Sequence, residues 1–97
     1  MKNKKWESYN PQWLVAIAQK HIPDEPEIIA ALSKCVKAKV ESKAYIYFVD
    51  PDNANQPNSE WQFEKNIVLE DKKHGTIVLD LLKGNKIGGV EFLKFLA

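Results

Sequence analysis

Two carboxylates are the residues of this chain best placed to do chemistry. Asp80 lies inside the apolar run 76–82, on the strand face shared by Thr76, Val78 and Leu82, and Glu91 lies across the Gly84-Asn85 turn from it. Two such groups at close range on one sheet can divide the roles of general acid and general base in a pocket. The plainer reading is that one or both face water or pair with Lys83 and Lys94. Other reactive residue types are set sparsely. His21 closes the first helical stretch, where a cation suits the helix dipole, and His74 stands in a charged turn beside Asp71. Cys35 falls on the apolar face of the second helical stretch, which fits a small buried hydrophobe better than a nucleophile. Ser8, Ser33, Ser42 and Ser59 have no nucleophile-elbow context. The glycines 84, 88 and 89 spell G-x-x-x-G-G, but with no helix after them they mark a hairpin and a bulge rather than a phosphate cradle. No His, Cys, Asp and Glu cluster has ligand spacing. No catalytic residue, metal or cofactor is therefore expected.

What remains is a recognition chemistry of rings and acceptors. Tyr45 and Tyr47 alternate with Ile46 and Phe48, so one pair points away from the other. If Ile46 and Phe48 face the core, both tyrosines lie on the open face of a sheet, with Gln62, Glu64, Asn66, Asp80 and Glu91 as neighbours. Tyrosines among acceptors are characteristic of recognition surfaces; the competing reading is that they merely cover the sheet. Tyr45, Tyr47, Asp50, Asp52, Glu60, Trp61, Glu64 and Asp71 are the expected partner-binding residues.

Local signals define the elements that position them. Asn10-Pro11 predicts a helix start, with Asn10 as cap and Pro11 in the first turn. Trp13, Leu14, Ile17 and His21 form its stripe, and Pro23 ends it. Asp24-Glu25-Pro26-Glu27 predicts a second start with a capping box between Asp24 and Glu27. Ile28, Ile29, Leu32, Cys35 and Val36 are its buried face. The alternation of Val36, Ala38 and Val40 with Lys37, Lys39 and Glu41 would suit a strand, but a helix to about Ala38 is favoured. Strands are expected at 44–49, 59–69, 76–82 and 86–95, the second with Trp61, Phe63, Ile67 and Leu69 on one side. The connection 50–59 is long for a link between adjacent strands, and long ordered loops are often functional. Gly84-Asn85 is a turn that matches strand twist. Gly88-Gly89, inside the last strand, predicts a bulge or a close backbone approach. The expected fold is α+β, with two N-terminal helices packed on one face of a four-stranded antiparallel meander. Residues 1–97 form a single domain: a frayed tail at 1–9, a helical layer at 10–39 and the sheet at 44–96.

Ninety-seven residues with 44% hydrophobic content suffice for one modest core. A net charge of +1, from 14 basic and 13 acidic residues, argues against a dedicated nucleic-acid binder. One cysteine allows no intrachain disulfide and fits a reducing compartment. The start has a charged region but no apolar run after it, and no apolar run is long enough to cross a bilayer. A cytoplasmic location is expected.

Four segments carry a resemblance. They are Ala44-Tyr45-Ile46-Tyr47, Asn66-Ile67-Val68-Leu69-Glu70, Gly75-Thr76-Ile77-Val78-Leu79-Asp80 and the closing run from Gly84 through Ile87, Gly88, Gly89, Val90 and Glu91 to Leu93. The half-chain from about Ala44 onward is similar to an uncharacterised bacterial family of small sheet domains with A-L-Y-I, G-x-I-L-D and D-G-x-I-x-G-I-E-x-L strands. The loop 50–59 and the two helices depart from that pattern, and no functional residue transfers from it. In size and layout the chain also resembles the small immunity proteins of bacterial toxin systems. That likeness implies a non-catalytic immunity or antitoxin protein that neutralises a toxin by binding it. A small enzyme or ligand-binding domain using Asp80 and Glu91 is the alternative. A homo-oligomer, such as a homodimer, assembled through the strand 87–95 is another.

Overall fold

Alternating apolar residues between 63 and 92 build three long antiparallel strands, and everything else is arranged around them. The computed structural model describes residues 5–96. In chain order the elements are β1 (Glu7–Ser8), α1 (Gln12–His21), α2 (Pro26–Ser33), β2 (Lys37–Val40), β3 (Tyr45–Tyr47), β4 (Phe63–Asp71), β5 (Gly75–Leu82) and β6 (Lys86–Phe92), followed by a 3-10 turn at Leu93–Phe95. The fold is α+β with an antiparallel sheet, and the sheet has six strands in the order β1-β2-β3-β6-β5-β4.

This corrects the four-stranded meander. Only β4, β5 and β6 follow one another as hairpins. The strand β3 pairs with β6, through Tyr45↔Glu91, Ile46↔Val90 and Tyr47↔Gly89, and not with β4. Three hairpin-linked strands plus one that lies beside the far member is a Greek-key arrangement. The long connection after β3 makes it possible, because that segment must carry the chain across the sheet to start β4. The two further strands come from segments expected elsewhere. Glu7 and Ser8, assigned to a frayed tail, pair with Ala38 and Lys37. Residues 1–4 of that tail lie outside the described residues. Lys37–Val40, assigned to the helical layer, pairs with β3 through Lys39↔Tyr47 and Val40↔Ile46. Helix α2 ends at Ser33, not near Ala38. The alternation of Val36, Ala38 and Val40 was a strand signal over 37–40, although of these three apolar residues only Ala38 is buried, while Val36 precedes the strand and Val40 ends it, both exposed.

The helix starts follow their sequence signals in part. Asn10 Oδ1 accepts a hydrogen bond from the Gln12 amide (3.0 Å), so it does satisfy a free N–H at the start of α1. The capping box at α2 does not form: the residue before the helix is Glu25, with no side-chain cap, and Pro26 holds the first helical position.

One hydrophobic cluster joins the layers. Leu14, Val15, Ile17 and Ala18 of α1 and Ile28 and Leu32 of α2 meet Leu69, Ile77, Leu79, Leu81, Ile87, Val90 and Phe92 of the sheet, with Ile46, Phe48 and Ile67 at the rim. Ile77, Leu79 and Val90 are wholly buried, each worth roughly 1.5–3 kcal/mol of transfer free energy. Val36, expected on this face, is 55% exposed. The strand 86–95 stops at Phe92, where the chain tightens into the 3-10 turn.

Candidate site on the sheet face

With Ile46 and Phe48 turned toward the helical cluster, Tyr45 and Tyr47 stand on the opposite face of the sheet. Strand register decides their neighbours. Across the sheet, Tyr47, Gly89, Asp80 and Asn66 form one lateral row. Tyr45, Glu91, Val78 and Val68 form the next. The Tyr45 hydroxyl reaches diagonally between the rows and donates to Asp80 Oδ2. The Tyr45 and Tyr47 rings lie 4.6 Å apart, and Trp61 meets Tyr47 edge-on at 5.9 Å.

Two of the three rings, Tyr45 and Trp61, rest on glycine. A β-carbon on Gly89 would come within 2.6 Å of the Tyr45 hydroxyl and 2.7 Å of the Ile46 carbonyl oxygen. One on Gly88 would meet the Trp61 ring at 2.7 Å and Leu82 at 3.0 Å. The pairing of β5 with β6 slips between Asp80 and Leu81, opposite Gly88. The glycine pair therefore supplies both a bulge and a close approach, as its place inside a strand predicts. Trp61 is 8% exposed and seals Leu82, which is wholly buried on the face away from the helices.

Burial shapes the acid chemistry here. Desolvation raises the Asp80 carboxyl above the ordinary value of 3.8, and the Tyr45 hydrogen bond partly offsets it. Tyr45 is itself pushed far up, first by burial and then by the adjoining carboxylate. Glu91 faces Val78 rather than Asp80, one row away, so the two carboxylates share a face without facing each other. The expected lysine partner Lys94 donates instead to the Lys73 carbonyl (3.0 Å).

The loop 50–62 is tied to itself. Asp50 Oδ1 accepts from the Asp52 amide, Ser59 Oγ donates to the Asp52 carbonyl, and Gln62 Nε2 donates to the Gln56 and Ser59 carbonyls. The Asn55 amide donates to the Trp61 carbonyl at 2.7 Å, and Asn55 Oδ1 accepts from the Phe63 amide. Asn53, Asn55 and Asn58 adopt left-handed backbone angles (φ 54°, 67° and 74°), which asparagine tolerates. Asp50, Asp52, Ser59 and Glu60 line a pocket of about 300 Å³ in this loop.

The structure brings most of the expected contact residues together. Tyr45, Tyr47 and Trp61 form one ring array, Asp50, Asp52 and Glu60 share the loop pocket, and Glu64 is the second residue of β4. Trp61 presents little surface and acts as a buttress to the array. Glu64 sits at an irregularity in β4, where the register shifts between Phe63 and Lys65. That shift also breaks the expected run of Trp61 and Phe63 with Ile67 and Leu69: Phe63 is 39% exposed. Asp71 lies at the other end of β4, eight residues and about 27 Å away. It anchors its own turn, accepting from the Lys73 and His74 amides and from His74 Nδ1 (2.7 Å).

These two aspartates titrate on opposite sides of 3.8. The bonds to His74 hold Asp71 below that value, and burial holds Asp80 above it. A lowered acid contributes stability that is present above pH 3.8 and lost as pH falls through its folded value. For the raised Asp80 the sign reverses, and stability declines as pH rises from 3.8 through its folded value. Carboxyl-carbon NMR titration will order the midpoints Asp71 below Asp80; the reverse order would refute the placement of both groups.

The remaining reactive residues are structurally engaged. Cys35 is buried, its thiol donates to the Ala31 carbonyl (3.5 Å), and burial pushes it up to about 12. It forms part of the wall of an open cleft of about 630 Å³ between the end of α2 and the β5–β6 turn. The His74 ring lies 4.5 Å from Trp13, and His21 is exposed in the last turn of α1. Among the described residues no three of His, Cys, Asp and Glu converge on a point that could hold a metal ion, and no helix is long and apolar enough to cross a membrane.

Comparison with known proteins adds no family: no family model, curated protein or solved structure matches the chain.

Proposed function

We propose that this chain is a non-catalytic protein-binding module, an immunity or antitoxin protein that neutralises a bacterial toxin in the cytoplasm by occupying its surface. The observation that carries this reading is the ordered array on the sheet face away from the helices. Two tyrosines with their rings in tilted contact, buttressed by Trp61, lie beside Asp80 and Glu91, on the sheet that the carboxylate-bearing, self-tied loop adjoins. Rigid aromatic residues give contact area at low entropic cost, and carboxylates around them favour a basic partner and speed its approach. The helices, on this reading, serve to cover the other face.

The test is capture of a toxin domain from the source cell, followed by measurement of its affinity. Reversing Glu60 and Glu64 together to lysine is expected to weaken the complex at least tenfold, mostly through slower association, while circular dichroism stays the same. Unchanged affinity with unchanged circular dichroism rejects the assignment of this face.

A further inference from the structure

We propose that β4 is a homodimer edge, through which two copies pair antiparallel and join their sheets across a two-fold axis at Val68. The proposal is independent of the toxin reading, because it concerns the rim of the sheet and a second copy of this chain.

Strand order places β4 at one end of the sheet and β1 at the other. The β1 edge is two residues long, whereas β4 runs nine residues. Among the described residues β4 pairs only with β5, so alternate N–H and C=O groups along some 30 Å of backbone face outward. Natural sheets guard such an edge with lysine, proline or a bulge. Here the irregularity and Lys65 both sit at the start of the strand, and residues 66–69 carry no charge and no proline; the charged side chain that follows, Glu70, accepts a bond from Thr76 of the neighbouring strand. Val68, at the centre of 66–70, is 57% exposed. The strand β6 offers no such edge, because it is already paired on both sides, with β3 and with β5.

Charge selects the register. A two-fold axis normal to the sheet keeps each residue on its own face, so it sets residues of equal parity opposite each other. An axis on Ile67 puts Lys65 against Leu69 and Asn66 against Val68. An axis on Leu69 puts Ile67 against Asp71 and Val68 against Glu70. An axis on Val68 instead sets Lys65 against Asp71, Asn66 against Glu70, Ile67 against Leu69 and Val68 against its own copy. Every pair is then matched in character, and each hetero-pair occurs twice. Among the described residues the bonds to these acceptors use Asp71 Oδ2, for its turn, and Glu70 Oε1, for Thr76, which leaves each carboxylate a second oxygen for a partner.

Light scattering of the full chain across about 1 μM to 1 mM is the experiment, since weak edge pairing falls in that range. A reversible rise from one chain mass to two is expected. Asn66→Glu sets two like-charged pairs against Glu70 and should raise the midpoint concentration about tenfold. The double variant Asn66→Glu, Glu70→Lys should restore it, which an axis on any other residue would not produce. Val68→Lys, also at an exposed position, provides a second breaker if Asn66→Glu disturbs the fold. A constant single-chain mass at every concentration overturns the proposal, as it would if the edge took a foreign strand. So does a midpoint that none of these variants moves.

Discussion

Replacing Trp61 with alanine will lower the free energy of unfolding by about 3–5 kcal/mol, the range for large aromatic truncations in a packed site. The ring is 8% exposed although it belongs to a loop and lies outside the main cluster. It closes over Leu82 and packs on the bare backbone at Gly88, while its own carbonyl and amide tie residues 55 and 59 into the loop. Removing it uncovers a fully buried leucine and takes away the packing that seats the loop on the sheet, leaving only those backbone bonds. Urea denaturation of the variant beside Phe63→Ala, which removes a ring already 39% exposed, will show the first loss well above the second. A loss under about 1 kcal/mol at Trp61, the scale of a surface change, would mean that the ring contacts partners rather than the sheet. The variant would then lose affinity without losing stability.

Gly89→Ala is the second large effect, expected to cost about 2–3 kcal/mol by overpacking. One of the atoms its methyl would strike, the Tyr45 hydroxyl, belongs to a side chain that can turn away. The other, the Ile46 carbonyl at 2.7 Å, is backbone and can yield only if β3 and β6 separate. Shortening Tyr45 to phenylalanine in the same molecule will therefore recover little of the cost. Gly88→Ala behaves differently, because its nearest contact is the Trp61 ring. Its penalty should shrink in the Trp61→Ala background, and a double-mutant cycle reads that coupling directly. Additive losses at Gly88 and Trp61 would show that the two do not touch.

The parts of this fold legible in the sequence are those fixed by neighbours along the chain. The period-two runs gave β5 and most of β4 and β6, the Gly84-Asn85 turn has the positive φ at both residues that it needs (81° and 57°), and the doubled glycine announced its bulge. Two helices followed from proline and the spacing of leucine and isoleucine. What could not be read depends on partners far away in sequence. Lys37–Val40 has both periods, and only pairing with β1 and β3 decides for strand. Glu7–Ser8 has no strand signal of its own and is held by β2. The candidate site divides the same way. That both tyrosines share a face with Asp80 follows from alternation, but the bond from Tyr45 to Asp80 requires β3 to lie beside β6, across 35 residues of sequence separation. Asp71 looked like part of an acidic surface because charge is visible in a sequence, whereas the turn it holds is not.

The place of β6 governs how this molecule can be assembled. Among the described residues, the half made of β1, β2 and β3 shares no backbone ladder with the half made of β4 and β5 except through the strand between them, and the Tyr45–Asp80 bond that spans the gap needs that strand in place. That strand is the last of the six to be synthesised. On a ribosome, two incomplete sheets must wait with their inner edges bare until residues 86–92 emerge and key them together. Native structure then closes late and over long loops, which makes folding slow and leaves the nascent chain in need of protection from edge-to-edge association.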